Sequence, residues 1–273
     1  MRLCRWTRAA RHGTGDGMEF WQSFSAASED PGPPYGHRFP APMPDGSRLW
    51  LPLRDYGAIA VTGFIANQAS FAVVRALAGW MAEAARPLGV EMVCGLPTLG
   101  HVLAAPVAET LGHSNWVAAG YSRKRWYGTD APSVPVSSST ATDERRIWLD
   151  PRVLHRLAGR RVLLVDDVIS TGSSALAGLA LLAAAGVRPV GLCVGMAQGD
   201  RWRASWPVEV PVAAGFATPL LRPASTGTPA GTAVNGAPGT GPGWMPDAAT
   251  LPPVLLPPVL LPPVLLPAPH GLT

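Results

Sequence analysis

The stretch Arg161-Val-Leu-Leu-Val-Asp-Asp-Val-Ile-Ser-Thr-Gly-Ser-Ser174 decides how this chain folds. Residues 162–165 are a short, wholly apolar run, the pattern of a strand buried on both faces of a parallel sheet. The run ends in two carboxylates, Asp166 and Asp167. Val168 and Ile169 follow, then a turn of small residues from Ser170 to Ser174. Residues 175–185 are nearly unbroken Ala and Leu, the composition of a buried helix. A strand, an acidic pair, a Gly/Ser/Thr loop and a helix set two chemistries at the carboxyl edge of an open α/β sheet, where such sheets bind ligands. Backbone N–H groups of the loop and the helix N-terminus suit a phosphate dianion. The carboxylates suit sugar hydroxyls. The implied ligand carries both groups: a ribose 5-phosphate.

The same stretch resembles the phosphoribosyl-diphosphate (PRPP) binding motif of type I phosphoribosyltransferases. That motif is an apolar strand, two acids, two mostly apolar residues, a variable residue, Thr-Gly, then small hydroxyl or glycine residues, and every element is in register here. The resemblance implies that Asp166 and Asp167 bind the ribose 2′ and 3′ hydroxyls and stabilise the positive charge that develops at C1. It implies that Ser170, Thr171, Gly172, Ser173 and Ser174 cradle the 5-phosphate. A response-regulator fold shares the strand-turn-helix, but it needs an acidic cluster after an earlier strand and none is present. No Walker-type Gly-Lys-Ser/Thr ending occurs either.

Two further stretches extend the resemblance. Gly95-Leu96-Pro97-Thr98-Leu99-Gly100 follows an apolar strand at 90–94 and opens a helix. The resemblance implies that Gly95, Leu96, Pro97 and Thr98 hold the diphosphate of PRPP, with backbone donors at close approach. Ser122-Arg123-Lys124-Arg125 opens a long segment without apolar periodicity, 121–144, and loops of that length inside domains are generally functional. This segment is similar to the Arg-Lys-containing flexible loop of adenine-type phosphoribosyltransferases. By that likeness Ser122 binds PRPP, while Arg123, Lys124 and Arg125 neutralise the departing diphosphate and help exclude water. Lys124 is the one lysine among 22 basic residues. Related 6-oxopurine enzymes carry an acid at the position of Ser170, so the serine fits adenine-type members. Those members often place a glutamate in the flexible loop; Asp130, Asp143 and Glu144 are the candidates, without a clear match. The resemblance also implies Mg²⁺, held by PRPP and water with no protein metal site of its own.

At 273 residues with 47% apolar content, the chain can hold a domain of about 200 residues plus tails. Its formal charge of +4 is mostly placed at the start, where Arg2, Arg5, Arg8 and Arg11 face Asp16 alone. The remainder is no nucleic-acid footprint. Three cysteines without metal-ligand spacing fit a reduced, cytoplasmic protein. Residues 1–17 lack the apolar core of a secretory signal, and Met18 is the expected true start.

The expected fold is α/β, a mostly parallel doubly wound sheet of the type I phosphoribosyltransferase kind. Its parts are a variable, partly irregular segment at 1–34, the phosphoribosyltransferase-like domain at 35–222 with an irregular N-terminal hood, and a Pro-rich disordered tail at 223–273. Residues 49–53 read as an edge strand, because Pro52 cannot donate within a central one. Residues 67–85 read as a helix capped by Asn67 or Ser70. In the tail, Pro-Pro-Val-Leu-Leu repeats three times from Pro252 to Leu266, which forbids a membrane-spanning helix. An apolar docking segment is the alternative reading of that repeat.

The implied activity is transfer of the 5-phosphoribosyl group of PRPP to a nitrogenous base, purine-like as in salvage, with release of diphosphate. The alternative is a PRPP- or nucleotide-binding regulator that keeps the fold without turnover. The expected partners are PRPP and a small base, with no nucleic acid or membrane, and a homodimer is possible.

Overall fold

The computed structural model describes residues 19–136, 145–224 and 243–257. The expected Met18 start and the pentad repeats beyond Pro257 lie outside them. The elements in chain order are β1 (Arg38–Pro42), β2 (Arg48–Asp55), β3 (Ala60–Thr62), α1 (Phe71–Ala85), β4 (Met92–Gly95), α2 (Gly100–Thr110) and β5 (Val117–Ala118). Then come β6 (Ser133–Pro135), β7 (Arg146–Trp148), β8 (Val162–Ile169), α3 (Ser173–Ala184), β9 (Pro189–Gln198), β10 (Val212–Thr218), β11 (Leu220–Pro223) and β12 (Trp244–Asp247).

β8 is the centre of a parallel sheet ordered β10-β9-β8-β4-β5. Alternation along it separates two core layers. Leu163 and Val165 meet α1 and α2 residues such as Leu77, Met81, Leu103 and Val107, while Val162 and Leu164 meet Leu181 and Leu182 of α3. Both faces are therefore covered, which is why residues 162–165 carry no polar side chain. The strand runs on through the acid pair to Ile169, because pairing with β9 continues at Val168↔Met196 and Ile169↔Ala197. Chain order reverses between β4 and β8, so their carboxyl ends flank the crevice where doubly wound sheets take ligands. Cys94 and Cys193 are buried free thiols in this core, and burial pushes Cys94 up to about 12. No helix among the described residues is long and apolar enough to cross a membrane.

The hood is not irregular. It is an antiparallel sheet ordered β1-β2-β3-β11-β12, built from both ends of the domain. β2 is an interior strand, against the expectation that Pro52 confines it to an edge. The bonds Leu53 N–H to His37 O (2.8 Å) and Met43 N–H to Ser47 O (2.9 Å) show which residues of β1 and β2 exchange ladder bonds. Pro40, Pro42 and Pro52 fall at the alternate positions, whose nitrogens point away from that partner strand. On its β3 side Pro52 still accepts from Gly63 N–H at 2.8 Å. The donor that Pro52 lacks comes from the Trp21 indole N–H, 3.1 Å from Gly63 O. Helix α1 begins where Ser70 Oγ accepts from Val73 N–H, as expected for that cap.

The boundary placed at residue 222 is also corrected. β11 continues across it and pairs with β12, register Leu220↔Asp247 to Pro223↔Trp244. Trp244 is 6% exposed and exchanges two backbone hydrogen bonds with Tyr35, at 2.9 and 2.7 Å. Leu255 of the first pentad lies along the outer edge of β10, donating to Val212 O at 2.8 Å and accepting from Ala214 N–H at 2.9 Å. Prolines on both sides of the Val-Leu-Leu unit leave it no further ladder donors, so it covers this edge without extending the sheet.

Candidate active site

Two backbones meet at the reversal point. Leu96 N–H donates to Val165 O at 2.8 Å, which hangs the loop after β4 on the end of β8. Gly100, at the start of α2, then passes so close that an added Cβ would lie 2.8 Å from Asp166 Oδ1 and 2.9 Å from Asp166 Cα. Gly100→Ala is therefore expected to cost about 1–3 kcal/mol as overpacking against a backbone that cannot yield. It should also weaken ligand binding by displacing Asp166; thermal unfolding and a PRPP titration measure the two effects.

Asp166 is 6% exposed, and its Oδ1 accepts from Asp167 N–H at 2.9 Å. Burial, and then the negative charge of Asp167, hold the Asp166 carboxyl well above the usual carboxylate range. Burial raises Asp167 as well. Burial thus disfavours negative charge on the pair, and partners that donate hydrogen bonds would stabilise it.

The turn after β8 is shaped for an anion. Gly172 sits at φ +86°, the left-handed region, and ends the turn at the N-terminus of α3, whose first turn has no side-chain cap. Thr171 Oγ1 and Ser173 Oγ converge to 3.2 Å. Ser173 and Ser174 are exposed at the head of the helix. Ser170 turns elsewhere: its hydroxyl donates to Gln198 Oε1 and accepts from Arg201 Nη2, both at 2.7 Å.

The loop after β4 contributes no charged side chain. Leu96 has its N–H bound and its side chain 2% exposed under α3, Gly95 O accepts from Ala119 N–H at 3.0 Å, and Pro97 has no N–H. Thr98 is the residue of the four with a side-chain donor to offer. Tyr121, just before the cationic run, donates its hydroxyl to Pro97 O at 3.2 Å, and Arg145 stacks on its ring at 3.6 Å. Burial raises the Tyr121 hydroxyl, Arg145 lowers it, and the charges of Asp166 and Asp167 raise it further, which ties this loop base to the acid pair.

Ser122, Arg123, Lys124 and Arg125 are all exposed. Arg123 donates to Gly128 O at 3.1 Å and lies over Trp148 at 5.6 Å, so it braces the loop. Asp143 and Glu144 lie outside the described residues.

Between hood and body opens a cavity of about 620 Å³. Tyr56, Ile59, Val61 and Phe64 wall it on the hood side with Arg54, and Val168 and Met196 on the body side beside Asp167. Thr62, Ser170, Gln198 and Arg201 form its polar edge. This cavity was not legible in the sequence. The one signal for Gln198 was a lone polar side chain ending the apolar run 190–198, at the carboxyl edge of the sheet.

Doubly wound topology, an acid pair at the central strand end and a small-residue turn beside it define an α/β protein with a candidate ligand crevice at the sheet's carboxyl edge. The phosphoribosyl transferase domain family matches residues 62–218, more than half of the chain, and the chain belongs to that family. An adenine phosphoribosyltransferase of Frankia casuarinae is 39% identical over 134 residues, 49% of this chain and 66% of that protein. One of Streptomyces coelicolor is 34% identical over 139 residues, 51% of this chain and 71% of that protein. The chain thus spans just under two thirds of the length of the first relative. A solved adenine phosphoribosyltransferase from Thermoanaerobacter pseudethanolicus is 16% identical, covering 54% of this chain and 81% of that one with a TM-score of 0.45.

Proposed function

We propose that this protein transfers the 5-phosphoribosyl group of PRPP to a purine-like base and releases diphosphate, with adenine, the base in its relatives' names, as the first acceptor to try. The observation that carries this reading is that Asp167 belongs at once to the acid pair and to the wall of the 620 Å³ cavity. A ribose held by Asp166 and Asp167 would present C1 to a base in that cavity. The turn from Thr171 to Ser174 would bind the 5-phosphate.

In this mechanism the carboxylates orient the ribose hydroxyls and stabilise the oxocarbenium-like transition state as the C1–O bond breaks. Among the described residues no group of three or more His, Cys, Asp or Glu could hold a metal alone. By the family resemblance, a Mg²⁺ would be carried by diphosphate and water and would neutralise phosphate charge. The loop after β4 being uncharged, the protein's own cations for the leaving group are those of residues 123–125. Arg123 braces the loop, which leaves Lys124 and Arg125 to act when it closes.

Lys124→Ala is accordingly expected to lower kcat by about 100-fold, on the order of 3 kcal/mol for one lost charge-stabilising donor. PRPP affinity should fall much less, because contacts that strengthen in the transition state act on turnover. Stopped assays of kcat beside equilibrium titration separate the two. The function itself is tested by following diphosphate release from PRPP with a panel of bases, set against PRPP binding alone. Binding without release for any base would establish the regulator reading instead.

A further inference from the structure

One cation at the cavity edge is held in a way that fixes what it can do. Gln198 Nε2 donates to the Thr62 carbonyl, and to Thr62 Oγ1 at 3.1 Å. That orientation turns Oε1 toward Ser170, whose hydroxyl proton it takes at 2.7 Å. With its proton engaged, Ser170 Oγ accepts from Arg201 Nη2 at 2.7 Å. Donation runs one way, from Arg201 through Ser170 and Gln198 to Thr62, and such chains polarise their members. The turn that carries Arg201 is fixed in place. Trp202 is 4% exposed, its indole N–H donates to Gly199 O at 2.9 Å, and its Cβ lies 3.2 Å from where a Cβ on Gly172 would be. Among the described residues no carboxylate pairs with Arg201.

The polar edge of the cavity therefore offers positive charge and donors. Resting on the transfer reading above, we propose that Arg201 receives the acceptor base through an electron-rich ring nitrogen or exocyclic oxygen, and favours that base in its deprotonated form. A guanidinium carries donors and no acceptor, so it meets only an accepting edge of the base. Ser170 cannot take a proton usefully, since its own is committed to Gln198. The ring N–H proton of the acceptor goes to solvent. The freed nitrogen pair forms the bond to C1 as the C1–O bond breaks, and diphosphate leaves with that electron pair. The acceptor class is a nitrogen heterocycle with an acidic ring N–H and an accepting edge, such as the imidazole side of a purine. The other charged or titratable groups facing this space are Asp167 on β8 and Arg54 and Tyr56 on the hood.

The test is calorimetric titration of adenine, hypoxanthine and xanthine into wild type, Arg201→Ala, Arg201→Gln and Arg201→Lys, in mildly acid and mildly alkaline buffer, with PRPP titrated in parallel. Arg201→Ala and Arg201→Gln should each weaken base binding by about 10-fold or more, the scale of one hydrogen bond to a charged group. PRPP affinity should be unchanged, and Arg201→Lys should recover part of the loss. In wild type, binding should tighten with pH most for the most acidic base. Using bases of different acidity separates their titration from that of Asp167. The inference is overturned by equal base affinity in the alanine variant, by a parallel loss of PRPP affinity, or by a wild type that binds PRPP and no base. If wild type binds bases in an Arg201-dependent way but not PRPP, the transfer reading fails while this inference stands.

Discussion

Asp166→Asn combined with Asp167→Asn is expected to remove PRPP binding and, at the same time, to raise thermal stability. Two carboxylates facing ribose hydroxyls are worth about 1.5–3 kcal/mol each as charge-assisted hydrogen bonds, so affinity should fall at least about 100-fold. The stability effect has the opposite sign to that of a salt-bridged acid. Burial raises both folded pKa values above the usual 3.8, and the negative charge of Asp167 raises that of Asp166 further. The unfolded chain then gives up its protons first. Stability falls as pH rises from the unfolded pKa toward the folded ones, and the deficit persists at neutral pH. Asparagine cannot ionise, and its side-chain oxygen can still accept from the residue 167 N–H as Asp166 Oδ1 does at 2.9 Å. For a domain of this size each kcal/mol recovered raises Tm by about 2–4 °C. Titration with PRPP and thermal scans across pH check both halves. Retained affinity in a folded double variant would end the assignment of the acid pair, and a lowered Tm at neutral pH would end the account of its electrostatics.

Ending the chain after Pro223 is expected to destabilise the domain by about 3–5 kcal/mol or more, the range for deleting a buried tryptophan alone. The cut removes Trp244, the β12 partner of β11, and the Thr250 hydroxyl that accepts from Leu220 N–H at 2.8 Å. It also removes Leu255 from the β10 edge. A chain ending at residue 257 keeps these contacts and is the control; Trp244→Ala isolates the largest of them. Denaturant unfolding of the three chains measures the differences. Equal stability of the short and control chains would mean that the hood holds without its last strand.

The parallel sheet was legible because buried strands leave a local mark: an apolar run, a polar stop, a small-residue turn. The acid pair and the phosphate turn share that one stretch, so a single reading found both. The hood hid behind its prolines. Pro40 and Pro42 read as irregular by composition and Pro52 as the mark of an edge strand, yet all three are admitted because register aims their nitrogens off the neighbouring strand or because Trp21 supplies the missing donor. Those facts depend on residues far apart in the chain. The strand at 244–247 was masked in the same way by the Pro- and Gly-rich residues around it. The chain from Arg201 to Thr62 joins four elements and has no pattern in any single window.

The hood's composition from residues 38–62 and 220–247 bears on how the protein is made. Everything in the parallel sheet is synthesised by Thr218, and its contacts can form while the chain is still growing. The hood sheet cannot be complete until β12 has emerged and returned to β11 and Tyr35, a long-range pairing of the kind that slows folding. A nascent chain should therefore have a formed parallel sheet before it has a complete hood. Its last folding step is the one that completes the hood.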